Sequence, residues 1–185
     1  MTIANLLSRL ALALEQAQLP YMLTGSVASS VHGLPRSTRD VDIVIAPTRA
    51  QLVRLIQQFP SSSYYADEQQ ALDAFDHCSQ FNVIDFSSSW KVDFIITDDS
   101  PHARMAFARR KLMSIEGTSL YVASPEDVLL AKLRWAKLGA SDRQLQDAAS
   151  IVTTQGSNLD RQYVDQWVRE LNLETQWEAA QNGSS

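Results

Sequence analysis

Hydrophobic and polar positions in the first hundred residues follow two periods, one helical and one typical of strands. Near the start, apolar residues recur at the spacing of one helix face: Ile3, Leu6, Leu7, Leu10 and Leu14. They predict an amphipathic helix before Pro20. The apolar run 21–24 predicts a strand, 25–33 predicts a short helix, and 40–47 predicts a strand because its apolar and polar residues alternate. Thr48 is expected to cap the next helix.

Two further apolar segments, 80–86 and 90–97, are joined by the serines at 87–89 and predict a hairpin. The stretch 61–75, which precedes them, predicts a loop and a short helix. The resulting order is helix, strand, helix, strand, helix and hairpin. This order predicts an α+β fold, in which a small mixed β-sheet has flanking helices.

The pattern becomes entirely helical from Ser124 onward. Ser124 is expected to cap a helix that begins with Pro125 and two acidic residues and ends near Gly139. Two further helices and a third candidate follow, at 141–152, 159–172 and 174–180. The sequence therefore predicts a sheet-containing region at 1–123 and a C-terminal helical region at 124–185.

Composition and charge narrow the class of protein. The 185 residues are 45% hydrophobic, which suits one compact domain or a small core with a helical extension. The single cysteine, Cys78, excludes an intrachain disulfide and is typical of a reducing compartment. The net charge of -5 does not attract nucleic acid to the chain as a whole. One cluster of basic residues stands out: Arg104, Arg109, Arg110 and Lys111. It is either a solvated face or a surface that steers triphosphate or RNA.

The sequence does not indicate a membrane protein. No apolar run approaches the ~18 residues that a transmembrane helix needs. The segment LALAL near the start resembles part of a signal peptide, but no basic residue precedes Arg9, and Glu15 follows the apolar stretch at once. We therefore expect a cytoplasmic protein without a membrane partner.

Three carboxylates lie in predicted strands. Asp40 and Asp42 are two residues apart, so both side chains leave the same face of the strand, ~7 Å apart. Carboxylates in an apolar strand are costly unless cations neutralise them, and hard oxygen ligands suit magnesium. Asp93 lies in the apolar strand 90–97 and joins the pair if the two strands are neighbours. Three such acids can hold two metal ions for displacement at phosphorus. Asp85 is the alternative third acid.

Each of these aspartates also has a structural interpretation. Asp40 is alternatively a cap or an ion-pair partner of Arg36 or Arg39. Asp93 is alternatively in a buried ion pair with Lys91 or with an arginine. These alternatives stay open at the level of sequence.

Gly25 and Ser26 follow a predicted strand and open a predicted helix. Glycine lets the backbone approach a ligand closely, and free N–H groups at a helix start attract phosphate. The segment is a candidate phosphate cradle, with Ser26 as a simple helix cap as the alternative. His32, which precedes Gly33, is expected to pack at the helix end.

Together these elements resemble the signature of the nucleotidyltransferase superfamily, which has the DNA polymerase beta-like fold. The matching parts are Gly25-Ser26, thirteen intervening residues, Asp40-Val41-Asp42 and Asp93. The resemblance covers about 20–100. It implies that Gly25 and Ser26 hold a triphosphate. It also implies that Asp40 and Asp42 bind two magnesium ions, while Asp93 completes the catalytic metal site and helps to deprotonate the acceptor.

A closer likeness is to stand-alone bacterial nucleotidyltransferases, including AbiEii-type toxins and antitoxin-like proteins. HGLPRSTRDVDIVI is similar to their Arg-x-Thr-x-Asp-x-Asp segment, and SPEDVLLAKLRWAK followed by DRQLQD resembles their downstream helical motifs. The matching downstream residues are Lys132, Arg143 and Asp147, although Gln144 stands where the family usually has an acid. The likeness implies nucleotide binding by Lys132, which is otherwise a solvated helix residue. It also implies phosphate contacts by Arg36 or Arg39, which otherwise form surface pairs.

The resemblance implies transfer of a nucleoside monophosphate from a nucleoside triphosphate to an acceptor hydroxyl. The acceptor is a protein, a tRNA or a small molecule, and the helical region shapes the cleft that selects it. A role in a toxin–antitoxin or phage-defence system, with a cognate toxin or antitoxin partner, belongs to the same expectation. The alternative is a catalytically inactive module of the same fold that acts as a protein-binding or antitoxin-like partner.

Overall fold

The structure, a computed structural model, describes residues 2–139 and 141–183. Within them the helices are α1 Ile3–Gln16, α2 Gly25–His32, α3 Arg49–Ile56, α4 Glu68–Asp76, α5 Pro101–Ala108, α6 Pro125–Gly139, α7 Asp142–Gln155, α8 Arg161–Glu170 and α9 Glu174–Asn182. A short 3-10 turn, Gly156–Asn158, follows α7. The strands are β1 Tyr21–Thr24, β2 Asp40–Ile45, β3 Tyr64–Ala66, β4 Gln80–Asp85, β5 Lys91–Ile96, β6 Lys111–Ile115 and β7 Thr118–Val122. No helix in these residues is both long and apolar enough to cross a bilayer.

The chain divides into two compact units. The sheet unit contains the residues up to Thr24 together with Thr38–Val122, and the helical unit contains Gly25–Ser37 together with the residues from Ala123 onward. This division differs from the expected regions 1–123 and 124–185 in one segment, because α2 packs against α6 and α7. A helix that is local in sequence to the strands therefore belongs structurally to the C-terminal helices.

The sheet unit is built on one seven-stranded sheet with the order β3-β4-β5-β2-β1-β7-β6. β2 pairs with β5 and β1 with β7 in parallel, whereas the other neighbouring strands are antiparallel. The predicted α+β class with a mixed sheet is thus confirmed.

The alternation in β2 sorts its side chains between two environments. Val41, Ile43 and Ile45 are buried, whereas Asp40 is exposed and Asp42 is half-buried. Each apolar residue stands in register with a β5 residue of the same character, and Phe94 of β5 stacks on Phe81 of β4 with ring centroids 5.2 Å apart. One face of β2 is therefore committed to the core, and the opposite face carries the carboxylates.

Several predicted elements of the sheet unit are confirmed in detail. The apolar face of α1 is buried through Leu6, Leu7, Leu10 and Leu14. Thr48 caps α3 in a capping box with Gln51, and β4 forms the expected hairpin with β5. Such agreement follows because these signals are local: helix periodicity, a capping residue and a turn between two apolar runs.

Three elements of the sheet unit were not predicted: β3, α5 and the β6–β7 hairpin. β3 has only three residues and lies within the expected loop 61–75. The hairpin has a local signal in its turn, because Glu116 and Gly117 both have positive φ angles, of 49° and 80°. A two-residue turn of this kind favours Gly at its second position.

The helical unit also follows its local signals. The Ser124 hydroxyl accepts a hydrogen bond from the Asp127 N–H at 3.2 Å, so the predicted cap of α6 is confirmed. The three helices expected after it are present as α7, α8 and α9. His32 Nε2 donates to the Ala123 carbonyl oxygen at 2.8 Å, which confirms that this histidine packs at the end of α2.

Candidate active site

Three aspartates lie on one face of the sheet unit. The parallel register places Asp42 of β2 directly beside Asp93 of β5. Asp40 is two residues before Asp42 on the same strand, in register with Lys91. Side chains in register on neighbouring strands, and those two apart on one strand, share a face of the sheet. The expected adjacency of the two strands is therefore confirmed, and it brings the three acids to one face.

Lys91 connects two of these three carboxylates. Its Nζ lies 2.8 Å from Asp93 Oδ2 and 3.6 Å from Asp40 Oδ1. The hydrogen bond to Asp93, together with the charges of Asp93 and Asp40, raises the pKa of the Lys91 ammonium above its usual value, although burial opposes this. The lysine is therefore charged at neutral pH. Asp93 thus forms the ion pair with Lys91 that was its structural alternative, whereas Asp40 contacts the same lysine and not the expected Arg36 or Arg39.

The donor chemistry of this face suits a divalent cation. All three acids offer hard carboxylate oxygens, which magnesium prefers, and the Asp93 side chain is only 12% exposed. Among residues 2–139 and 141–183, however, no three acidic, histidine or cysteine side chains converge closely enough to form a complete metal cage. Asp40 and Asp93 are turned toward the Lys91 ammonium instead. The ligand types and their shared face fit a metal, and two of the three carboxylates contact the lysine through one oxygen each.

The rival third acid, Asp85, lies on the opposite face of the sheet. It shares its face of β4 with the buried residues Phe81 and Val83, whereas Asn82 stands beside Asp93. The Asp85 carboxylate pairs with Arg9 of α1 and accepts hydrogen bonds from the N–H and hydroxyl of Ser87 at 2.8 and 2.6 Å.

Burial raises the pKa of Asp85, but the hydrogen bonds from Ser87 and Arg9 outweigh it and hold the pKa at about 2. The side chain is 2% exposed and fully engaged in this ion pair. Asp85 is therefore a structural residue, which leaves Asp93 as the third acid of the candidate site.

In the helical unit, Gly25 and Ser26 begin α2. Gly25 has a φ of 63°, a left-handed conformation that glycine adopts without steric cost. The Ser26 hydroxyl accepts a hydrogen bond from the Arg36 guanidinium rather than from a backbone N–H of the helix. The Ser26 carbonyl accepts from the hydroxyls of Ser29 and Ser30 at 3.1 and 3.0 Å. The structure thus uses the Ser26 side chain as a partner of Arg36 and not as a helix cap.

A buried ionic cluster continues from Ser26 into the helices. Arg36 Nε lies 2.9 Å from Asp147 Oδ1, and Lys132 Nζ lies 2.8 Å from Asp147 Oδ2. The side chains of Lys132 and Asp147 are 4% and 8% exposed, so the alternative of a solvated Lys132 is wrong. Four of the residues singled out from sequence are joined within this unit: Ser26, Arg36, Lys132 and Asp147.

Two cations meet at one carboxylate in this cluster. Arg36 and Lys132 both contact Asp147. Buried charges are tolerated where they are paired and hydrogen-bonded, and guanidinium and ammonium groups are the side-chain groups that bind phosphate. The Ser26 hydroxyl accepts from Arg36, so its own hydrogen can be donated to such an anion.

The remaining basic residues singled out from sequence are exposed or half-buried. Arg39 and Arg143 are exposed, and phosphate binding by Arg39 stays a prediction. In the basic cluster of the sheet unit, Arg104 pairs with Asp99 at 3.0 Å. The Arg110 guanidinium lies over the rings of Phe107 and Tyr121, 4.2 and 5.1 Å from their centroids. No contact in this cluster identifies a ligand.

Solved nucleotidyltransferases are similar to this structure along nearly the whole chain. A crystal structure of ANT(2")-Ia in complex with adenylyl-2"-tobramycin aligns with a TM-score of 0.61 and 13% identity and covers 100% of both chains. A solution structure of the antibiotic-resistance factor ANT(2'')-Ia aligns with a TM-score of 0.61 and 12% identity, covering 95% of this chain and 96% of that one. The chain has a nucleotidyltransferase fold.

A third solved structure has the same fold. An antigenic nucleotidyltransferase-like protein from Paracoccidioides brasiliensis aligns with a TM-score of 0.56 and 20% identity, covering 95% of this chain and 92% of that one. No protein-family model and no curated protein matches the sequence. Identities in this range establish the fold, and membership of the AbiEii-type group stays a prediction.

Sequence reasoning found the three aspartates but missed what joins them. Lys91 entered only as one of several partners for Asp93, and its bridge to Asp40 was not foreseen. A local signal exists, because Lys91 lies two residues before Asp93 in a strand and therefore shares its face. The contact with Asp40 depends on the register of β2 against β5, which no local pattern specifies.

Proposed function

We propose that this protein is a magnesium-dependent nucleotidyltransferase. It moves a nucleoside monophosphate from a nucleoside triphosphate to an acceptor hydroxyl and releases pyrophosphate. One observation carries the proposal: Asp42 and Asp93 stand side by side on neighbouring parallel strands, with Asp40 on the same face, in a nucleotidyltransferase fold. Three acids on one face of a sheet repel one another unless cations neutralise them. Magnesium ions would neutralise them and are the ions used in displacement at phosphorus.

Asp40, Asp42 and Asp93 are proposed to hold two magnesium ions, whose Lewis acidity offsets negative charge on the triphosphate. In the reaction, the acceptor oxygen bonds to the α-phosphorus while the bond from that phosphorus to the bridging oxygen breaks. Pyrophosphate leaves with the bridging oxygen. Asp93 is the candidate for receiving the acceptor proton, because it is the least exposed of the three carboxylates and lies between β2 and β4 in the sheet.

In the helical unit, we propose that Gly25, Ser26, Arg36 and Lys132 bind phosphate. The support is the pair of cations that meet at Asp147, together with a serine hydroxyl that has a hydrogen to donate. Asp147 keeps both cations in place and is not itself proposed to contact the nucleotide. Its role is to position Arg36 and Lys132.

The acceptor hydroxyl belongs to a protein, a tRNA or a small molecule. The complex of ANT(2")-Ia contains an adenylylated aminoglycoside, so ATP and tobramycin are reasonable first probes. Total tRNA and a cell lysate cover the two macromolecular classes. Each acceptor is offered separately, because the size of the labelled product then identifies the class.

The test incubates the protein with magnesium, each α-labelled nucleoside triphosphate in turn, and each acceptor. We expect one combination to transfer label, and an Asp40→Asn/Asp42→Asn variant to lose at least a hundredfold in rate. Asp99→Asn is the matched control, because it also removes a sheet-unit aspartate, and its partner is the exposed Arg104. Absence of labelling with every acceptor, together with no magnesium-dependent triphosphate binding, would contradict the proposal.

The second candidate function is an inactive, antitoxin-like module that acts through a protein partner. The observation that favours it is the Lys91 ammonium, which balances Asp40 and Asp93 without a metal. A thermal shift separates the two functions. Catalysis requires a rise in melting temperature with magnesium and triphosphate that a chelator reverses, whereas an inactive module shows none.

Membership of a toxin–antitoxin or phage-defence system extends the same proposal. It requires a cognate partner, which is best sought as the product of a neighbouring gene. Co-expression should yield a stable complex of the two proteins or relieve the growth defect that one of them causes. Independent expression of both, with neither complex nor growth effect, removes this part of the proposal.

A further inference from the structure

The proposed metal face already holds a cation of the protein itself. Lys91 Nζ is 2.8 Å from Asp93 Oδ2, a charge-assisted hydrogen bond, and 3.6 Å from Asp40 Oδ1. Both partners are proposed metal ligands. The lysine side chain is 39% exposed and the Asp93 side chain 12%, so the ammonium reaches from the surface toward a largely buried carboxylate.

We propose that Lys91 is an internal counter-cation that occupies the carboxylate face in the metal-free protein and competes with the divalent ion for it. The proposal rests on the metal site of the proposed function. It adds that metal binding is an exchange of cations, in which the ammonium gives up Asp93 and Asp40 before both acids can coordinate.

Geometry and charge both favour this exchange. A magnesium ion binds a carboxylate oxygen at about 2.0–2.1 Å, so a metal on Asp93 Oδ2 would lie close to an ammonium 2.8 Å from the same oxygen. Two cations that close repel each other. The ammonium also contacts Asp40, so two of the three proposed ligands face the lysine.

The lysine is also suited to leave. Its ammonium stands on a flexible four-carbon stem, and the side chain is partly solvated, so it can move into water without a cavity being left in the core. An arginine at this position would not leave as readily, because a planar guanidinium binds carboxylates through two parallel hydrogen bonds. The choice of lysine therefore keeps the carboxylates balanced and still exchangeable.

Metal affinity of the protein alone tests this inference, without any turnover. Mn²⁺ serves as the probe, since free and bound Mn²⁺ are distinguished by electron paramagnetic resonance. We expect Lys91→Gln to bind Mn²⁺ about tenfold more tightly than wild type, equivalent to about 1.4 kcal/mol. Lys91→Arg should bind at most as tightly as wild type. Lys111→Gln, which removes the same charge from the exposed strand β6, should leave the affinity unchanged.

Thermal unfolding gives a second measurement. Without metal, Lys91→Gln should melt at a lower temperature than wild type, because Asp40 and Asp93 lose their counter-charge. Added Mn²⁺ should raise the melting temperature of Lys91→Gln by more than that of wild type. Should Lys91→Gln not fold, Lys91→Arg still tests the idea, since a tighter affinity for Mn²⁺ in that variant overturns it.

An Asp42→Asn substitution, made in wild type and in each Lys91 variant, tests the metal site separately from the competition by Lys91. If Asp42→Asn abolishes Mn²⁺ binding while Lys91→Gln binds no more tightly than wild type, the competition is refuted and the metal site stands. If Asp42→Asn leaves Mn²⁺ binding unchanged in every background, the metal does not use this face, and the proposed function fails with it.

Discussion

Replacing Asp147 with asparagine should destabilise the helical unit strongly, because it removes a counter-charge of a buried lysine. Lys132 Nζ lies 2.8 Å from Asp147, and the two side chains are almost fully buried. Breaking such a pair from one side typically costs about 3–5 kcal/mol. Arg36 loses the same partner, but its side chain is 21% exposed, so water can solvate part of its charge.

The destabilisation caused by the uncompensated charge has an upper bound, because the Lys132 ammonium can release its proton once Asp147 is replaced. An ordinary lysine, with a pKa of about 10.4, becomes neutral at pH 7 at a cost of about 4.6 kcal/mol. We therefore expect Asp147→Asn to lower the free energy of unfolding by about 3 to about 4.6 kcal/mol at pH 7. The loss should shrink at pH 9, where neutralisation costs less.

Lys132→Met is the matched variant. It removes the other side of the same pair, but Asp147 keeps Arg36 at 2.9 Å, so the remaining charge stays compensated. We expect a loss of about 1.5–3 kcal/mol, that of one hydrogen bond to a charged group. Asp147→Asn should therefore lose more unfolding free energy than Lys132→Met, and this order is a sharper test than either value alone.

Urea denaturation followed by tryptophan fluorescence measures these losses. Three of the four tryptophans, Trp135, Trp167 and Trp177, lie in the helical unit, so the signal reports mainly on the unit that contains Asp147. A loss below about 1 kcal/mol for Asp147→Asn, or a larger loss for Lys132→Met than for Asp147→Asn, would refute the reasoning.

Two further predictions concern the sheet unit. The folded-state pKa of Asp85, about 2, lies below its ordinary 3.8, because Ser87 and Arg9 bind the ionised carboxylate. Ionised Asp85 therefore stabilises the protein above pH 3.8 by about 2 kcal/mol, and this is lost as the pH falls toward 2. Acid titration of the melting temperature should show that slope in wild type and not in Asp85→Asn. Thr48→Ala removes the cap of α3 and should cost about 1 kcal/mol, measured by urea denaturation. Thr48→Ser, which keeps the capping oxygen, should cost less, and equal losses in the two variants would argue against the cap.

The candidate site was predictable where its signals are local. Alternation assigned Asp40 and Asp42 to one face of a strand, and a second apolar run placed Asp93 in another strand. What the sequence lacked was the order and register of the strands. The pairing of β2 with β5 places Asp93 beside Asp40 and Asp42. The register of β4 against β5 places Asp85 on the other face of the sheet.

The ionic cluster was also only partly predictable, because its contacts join distant parts of the chain. The helical motifs pointed to Lys132 and Asp147, but an exposed and a buried lysine look alike in an amphipathic sequence. The second partner of Asp147, Arg36, is more than 100 residues away from it in the chain. Such pairings are tertiary, and they also explain why the segment around Arg36 was assigned to the sheet region rather than to the helices it packs with.

The membership of α2 in the helical unit has a consequence for how the protein is made. Its buried residues Val27 and Ala28 leave the ribosome about 100 residues before α6 begins. At a synthesis rate of about 5–20 residues per second, this apolar face waits roughly 5–20 seconds for its packing partners. During that interval β1 and β2, on either side of it in the chain, can already pair. A nascent chain at this stage exposes the apolar face of α2 to chaperones, and the Gly25-Ser26 segment reaches its final packing only after α6 and α7 have been synthesised.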